Sequence, residues 1–312
     1  MKDFHNAYID FENAITLTDA RKEQILTSRN AVRDKIRKYF KDELKLNQPA
    51  FHSQGSFTIG TALNPLSDKE VDIDDGLYLS HVDKNDKSTW PTPKEAHALV
   101  CDALKDHTQN GCEDKHSCVR VVYKNFYHLD IPIYIMKNNH ALLADTKHNE
   151  WIESDSKNFK DWYFNERKNI QTTRIVKYLK AWRDYKEIDI PSIELTILVV
   201  ENHISDEFDN IAIQKTVESI YKYLSYYRMV KKPVSPCEDL WENLTEEKKE
   251  KRIKLFENLN NNLKAANTAK TSYRGSLILR NIFGDRFPEI PEDVDEPIRD
   301  YSQGAKPWMK LT

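Results

Sequence analysis

The sequence predicts an α+β fold in two lobes: a mixed sheet with flanking helices, followed by a mainly helical C-terminal lobe. Three observations carry this. Apolar and polar residues alternate with period two over 71–79 and again over 129–135, which sends successive side chains to opposite faces of a strand. Beyond about Trp151 the apolar residues recur at helical spacing instead. A chain of 312 residues is also long enough for one large domain or two lobes. The expected boundaries are 1–150 for the sheet-bearing core with its long N-terminal helix, 151–287 for the helical lobe, and 288–312 for a mobile tail rich in proline and acid.

In chain order, Thr18 is the expected N-cap of the long first helix, with Asp19 placed well in its first turn. Ile25, Val32, Ile36, Phe40 and Leu44 form its apolar stripe. Loop and strand follow from Phe51 to Leu79, and a helix after Pro93 carries Ala96, Leu99, Val100 and Leu104. Val119, Val121, Val122 and Tyr123 predict a second strand, and Leu129, Ile131, Ile133 and Ile135 a third. Lys124-Asn125 between them reads as a tight reversal, so the pair is expected to form a hairpin. Pro132 has no N–H to donate to a ladder, which predicts an edge or bulged position for it. Helices are then expected over 170–182, 193–203, 211–227, 246–266 and 276–283.

Composition narrows the function classes. A mean hydropathy of -0.73, with no run near the roughly 18 apolar residues of a membrane helix, predicts a protein with no membrane association. The first residues lack a signal-peptide layout, so a cytoplasmic location is expected. A net charge of -3 gives no basic excess for a long nucleic acid and favours small anionic ligands. Cys101, Cys112, Cys118 and Cys237 form no C-x-x-C pair. His107 and His116 lie near two of them but match no zinc template, so reduced, scattered thiols are expected. Only seven glycines occur in the chain, against a typical share of about 7%. Three of them, Gly55, Gly60 and Gly76, fall in one short segment, where backbone must bend or approach a ligand.

That segment carries the chemistry. Asp72 and Asp74 lie two apart on a strand and project from one face, while Ile73 points into the core. Paired carboxylates repel, and a hard cation such as Mg²⁺ relieves the repulsion through oxygen ligation. An acidic strand-ending turn is the plainer explanation of Asp-x-Asp; what precedes it argues otherwise. Gln54-Gly55-Ser56 can offer backbone N–H groups and a hydroxyl to a polyphosphate. Asp130, a charge inside an apolar run, becomes the third acid if its strand pairs beside Asp72 and Asp74. Two metals held by Asp72, Asp74 and Asp130 would activate an attacking hydroxyl and neutralise a leaving pyrophosphate.

Gly55-Ser56, the Asp72-x-Asp74 strand and the later Asp130 resemble the polymerase-β-type nucleotidyltransferases. The wider strings are more specific: Gln54-Gly55-Ser56-Phe57, Gly60-Thr61, Pro65, Asp72-Ile73-Asp74-Asp75-Gly76, Asp161-Trp162-Tyr163, Lys180-Ala181-Trp182-Arg183-Asp184, Pro191-Ser192 and Phe283-Gly284-Asp285-Arg286-Phe287. They are similar to the bacterial CD-NTases, the cyclic-oligonucleotide synthases of CBASS anti-phage systems, in the branch of the Vibrio-type cyclic GMP-AMP synthases. The resemblance runs from about Phe51 to Phe287, and Ile59 departs from it by standing where that branch has an aromatic residue. It implies a nucleotidyltransferase core over 1–150 and a lobe over 151–287 that completes the nucleotide pocket. It places Lys180 on the donor triphosphate, Ser192 beside it, and Ser154 and Asp155 on a purine edge; a helix N-cap is the plainer role for the last two. It implies ATP and GTP as substrates, two Mg²⁺ ions with Mn²⁺ able to substitute, and no required nucleic acid. A downstream cyclic-nucleotide effector and CBASS accessory proteins are the implied partners. Transfer to an RNA or protein acceptor, and a non-catalytic nucleotide sensor, are the alternatives. A glycosyltransferase would leave Gly55-Ser56 and Asp130 unexplained.

Overall fold

The computed structural model describes residues 3–66, 70–109, 111–123 and 127–292. Its sheet is built around β2 (Val71–Tyr78), which pairs antiparallel with β1 (Ala50–Ser53) on one side. On the other side it pairs in parallel with β5 (Tyr127–Ile131) and then with β6 (Ile133–Lys137). Val71 faces Tyr127, Asp74 faces Asp130 and Leu77 faces Ile133, so β5 and β6 run beside β2 in a single register. The expected third strand is thus present but broken at Pro132. Its position is neither at the edge nor outside the ladder: its carbonyl still accepts from Leu77 N at 2.9 Å, and only its missing N–H interrupts the pairing.

Outside β5 lies β4 (Cys118–Val122), antiparallel, with β3 (Cys112–Lys115) beyond it. The β4–β5 hairpin is as expected, although its Lys124-Asn125 turn lies outside the described residues. Outside β6 the sheet gains two strands that the alternation did not predict, β7 (His140–Asp145) and β8 (Glu150–Glu153). The helical half therefore begins after Glu153 rather than at Trp151. A four-residue, largely exposed edge strand offers too short an alternating pattern to recognise.

The helices against the sheet form for local reasons. In α2 (Asp19–Lys38) the Thr18 hydroxyl accepts from Arg21 N, and Ile25, Val32 and Ile36 are buried; Phe40 follows in a π-helical turn. In α4 (Pro93–Leu104) Thr92 and Glu95 form a reciprocal capping box with Pro93 in the first turn. These helices and the strands share one core.

A second core belongs to α6 (Ile170–Tyr185), α7 (Ser192–Asn202), α8 (Asp209–Tyr227), α9 (Glu246–Asn267) and α10 (Ser272–Phe283), all close to the expected spans. It also takes in the first helix of the chain, α1 (His5–Ile15), through Tyr8, Phe11 and Ile15. Lys177 Nζ reaches Glu12 at 2.8 Å, and Tyr178 Oη donates to the Tyr8 carbonyl. The structure thus differs from a division at residue 150: the chain enters the helical core, leaves to build the sheet, and returns. The expected tail from 288 lies outside the described residues beyond Glu292. No described helix is long and apolar enough to cross a membrane.

Candidate active site

The face of β2 that carries Asp72 and Asp74 is the floor of a cavity of about 620 Å³ between the sheet and the helical core. Register places Asp74 beside Asp130 and Asp72 beside His128, so Asp130 joins the same face, as the strand pairing required. Asp75 points the other way. It is 1% exposed and takes the Arg33 Nε of α2 at 2.6 Å, so the third acid of the Asp-x-Asp-Asp run holds the fold together.

Gln54, with Gly55 and Ser56 of the one-turn helix α3 (Gly55–Thr58), forms the rim above Asp74. The tie is direct: Gln54 N donates to the Asp74 carbonyl at 3.2 Å. Gly55 has φ +71°, and a Cβ on it would lie 2.0 Å from Asp74 Oδ2. Only glycine lets the loop rest on that carboxylate. Gln54 is itself buried, donating from Nε2 to Tyr134 Oη at 3.1 Å. Tyr134 Oη in turn contacts Ser156 Oγ at 3.3 Å, which links the glycine loop to the first turn of α5 (Ser156–Glu166).

The carboxylates are electrostatically crowded. Burial pushes the Asp74 carboxyl up to about 7, with the Asp130 and Asp72 charges adding to the effect. What holds Asp72 and Asp130 is Arg120, which faces Asp130 across the β4–β5 ladder. Its Nε and one terminal nitrogen each meet a different Asp130 oxygen at 2.7 Å, and the same terminal nitrogen meets Asp72 Oδ1 at 3.0 Å. In a sequence this arginine is one more polar residue in a valine strand; only the register reveals it. Sequence reasoning also missed Glu70, which lines the cavity and pairs with His128 beside Asp72. Among the described residues no cluster of three acid, histidine or cysteine side chains is gathered for a metal, the cysteines included. In the acidic floor, Arg120 spans two of the three carboxylates.

The opposite wall is basic. Lys180 is 5% exposed and donates from Nζ to the Thr61 carbonyl at 2.8 Å, which is no place for an ordinary solvated lysine. Burial, helped by Arg183, lowers its pKa to about 8. Ser192 lines the cavity at the start of α7 and accepts from Arg183 at 2.8 Å. Lys160 and Lys232, which the sequence did not single out, line the same side. Ser154 also lines the cavity. Asp155 does not: it is 4% exposed and caps α5, accepting from Asn158 N at 3.0 Å and from the Asn158 amide at 2.5 Å. The carboxylate expected on a purine edge has both oxygens engaged by its own helix.

A sheet floor with acids on adjacent parallel strands, roofed by a helical core, is the fold of the polymerase-β-type nucleotidyltransferases, and the chain is an enzyme of that class. Residues 49–134 match the family model for the nucleotidyltransferase domain of DncV-like cyclic GMP-AMP synthases. A c-di-GMP synthase of Roseivirga ehrenbergii is 24% identical over 278 residues, covering 75% of this chain and 72% of that protein. The DncV cyclic AMP-GMP synthase of Vibrio cholerae shares the fold with a TM-score of 0.75 at 20% identity, over 92% of this chain and 98% of that one. Its GTP-bound form superposes with a TM-score of 0.75 at 20% identity, covering 92% of this chain and 96% of that one. Residues 49–134 thus match a nucleotidyltransferase domain of the DncV-like kind, and the fold over 92% of the chain is that of the Vibrio cholerae enzyme.

Proposed function

We propose that the chain condenses NTPs into a cyclic dinucleotide of the cyclic GMP-AMP type, releasing pyrophosphate at each step, as the signal-producing enzyme of an anti-phage system. The observation that carries the reading is the register of Asp74 against Asp130, with Gly55 seated on Asp74. This fits a hard divalent cation, because the donors are all oxygens. Asp72, Asp74 and Asp130 would hold two Mg²⁺ ions, or Mn²⁺ in their place. Bound there, such ions would supply a lowered pKa to the attacking hydroxyl and neutralise charge on the leaving pyrophosphate.

The chain's own residues do the rest. Gly55 and Ser56 receive the triphosphate of the donor nucleotide at the rim, and Gln54 fixes that rim through Tyr134. Lys180 supplies a positive charge to the phosphates from inside the wall, and Ser192 lies beside it. Ser154 faces the base, while Asp155 sets the first turn of α5 on which that end of the cavity is built. Asp130 orients the acceptor ribose hydroxyl and takes its proton. The two relatives differ in product by name, cyclic AMP-GMP against c-di-GMP, and both incorporate guanine, so GTP is a substrate in this reading and ATP its partner. A cyclic-nucleotide-responsive effector and CBASS accessory proteins would act downstream.

The test is incubation of the full chain with Mg²⁺ and the four NTPs, then phosphatase and mass spectrometry. The expected product is a phosphatase-resistant cyclic GMP-AMP; a c-di-GMP mass corrects the base pairing, and no resistant species rejects the reading. The lysine adds a pH signature. kcat/KM reports groups of the free enzyme, and Lys180 loses its proton as pH rises through about 8. kcat/KM for NTP is therefore expected to fall above about pH 8, approaching tenfold per pH unit. Lys180→Arg, whose guanidinium keeps its charge, should lose that descending limb even if it lowers the plateau.

A further inference from the structure

Two of the three carboxylates on the cavity floor already have a cation. Arg120 grips Asp130 with both oxygens engaged at 2.7 Å and reaches Asp72 at 3.0 Å. The Asp130 side chain is 11% exposed and that of Asp72 is 60% exposed. A guanidinium fork and a divalent ion use the same carboxylate oxygens, and neither can share them fully.

We propose that Arg120 is an internal competitor for the metal. In the nucleotide-free enzyme it holds Asp72 and Asp130 and keeps a bare divalent cation out. A metal arriving with a triphosphate displaces it, so that metal and nucleotide enter as one ligand. The proposal rests on the metal reading of the site given above.

Three features support it. The paired, charge-assisted contact with a nearly buried Asp130 is the strong kind of ion pair, so it sets a real threshold for a competing cation. The Asp72 contact is single and exposed, hence weak, which makes it the point where displacement starts. Without Arg120 three carboxylates would face one another on adjacent strands, and their repulsion would bind a bare ion strongly. Coupling of this kind is reciprocal: whatever factor nucleotide contributes to metal affinity, metal returns to nucleotide affinity.

Mn²⁺ binding to the full chain, followed by electron paramagnetic resonance, reads this directly. It is measured alone and with a non-hydrolysable NTP analogue, subtracting metal held by free analogue. The wild type should bind Mn²⁺ at least about tenfold more tightly with analogue. Arg120→Gln keeps a hydrogen-bonding amide and loses the charge. Alone, it should bind Mn²⁺ about 5- to 50-fold more tightly than wild type, and its response to analogue should shrink. Mere structural damage would weaken binding instead. Unchanged or weaker Mn²⁺ affinity in a folded Arg120→Gln chain overturns the proposal. If that variant does not fold, the wild type still decides, since equal affinity with and without analogue also overturns it. Mn²⁺ binding that survives Asp72→Ala with Asp74→Ala is a different failure: it removes the metal reading itself.

Discussion

A chain carrying Asp72→Ala and Asp74→Ala together should fold as the parent does and lose turnover by on the order of 10³-fold or more. The two losses separate because of where the side chains point. Ile73 between them is 1% exposed and anchors β2 in the sheet core, and the ladders to β1, β5 and β6 are made by backbone. Neither substitution touches them. Removing Asp74 even relieves strain of another kind, since that carboxyl is held up to about 7 by burial and by its acidic neighbours. Asp130 keeps its two contacts to Arg120. Thermal melting should thus show a variant no less stable than the parent, while product analysis shows none formed. Full activity in the folded double variant would remove the catalytic assignment of this face.

Gly55→Ala should lose about 10²-fold in turnover with a single methyl group. Two costs combine. At φ +71° an L-residue is strained by about 1–2 kcal/mol, and the new Cβ would lie 2.0 Å from Asp74 Oδ2. Either the loop rises or the carboxylate turns away, and a displacement of about 1 Å at reacting groups costs about 10²-fold. Gly60→Ala is the internal control. It has the same backbone constraint at φ +76°, but its nearest heavy atom is a Thr173 methyl at 3.9 Å. It should lose some stability and keep most of its activity. Equal activities for the two variants would show that backbone strain, and not contact with Asp74, makes Gly55 matter.

The contrast between these glycines marks how much was legible beforehand. Clustering of rare glycines located the site, and period two placed Asp72 and Asp74 on one face; both follow from local geometry. Asp130 required a pairing: the alternation of 129–135 marked a strand, but its place beside Asp72 and Asp74 came only with the register. Arg120 could not be found in this way. A lone arginine in a valine run carries no periodic signal, and its meaning depends on a cross-strand register. Asp155 shows the reverse order, a local role visible beside the one that the resemblance named. The resemblance assigned it a ligand, whereas the general preference of aspartate for N-caps describes where it sits. For Lys180 the resemblance named a triphosphate contact, whereas its burial and its hydrogen bond to Thr61 are tertiary facts. Likewise α1 has an apolar stripe that marks it as packed, and nothing local says against which core.

That first helix has a consequence for how the chain is made. Its apolar side, Tyr8, Phe11 and Ile15, leaves the ribosome well before Lys177 and Tyr178, which clasp it and follow 165 and 170 residues later. At about 5–20 residues per second that interval lasts roughly 10–30 s. During it the sheet and its acidic floor can assemble, while the helix that will help seal their roof has nothing to lie on. The cavity is therefore complete only once α6 has been made, because Lys180 of its wall and the residues that clasp α1 both lie there.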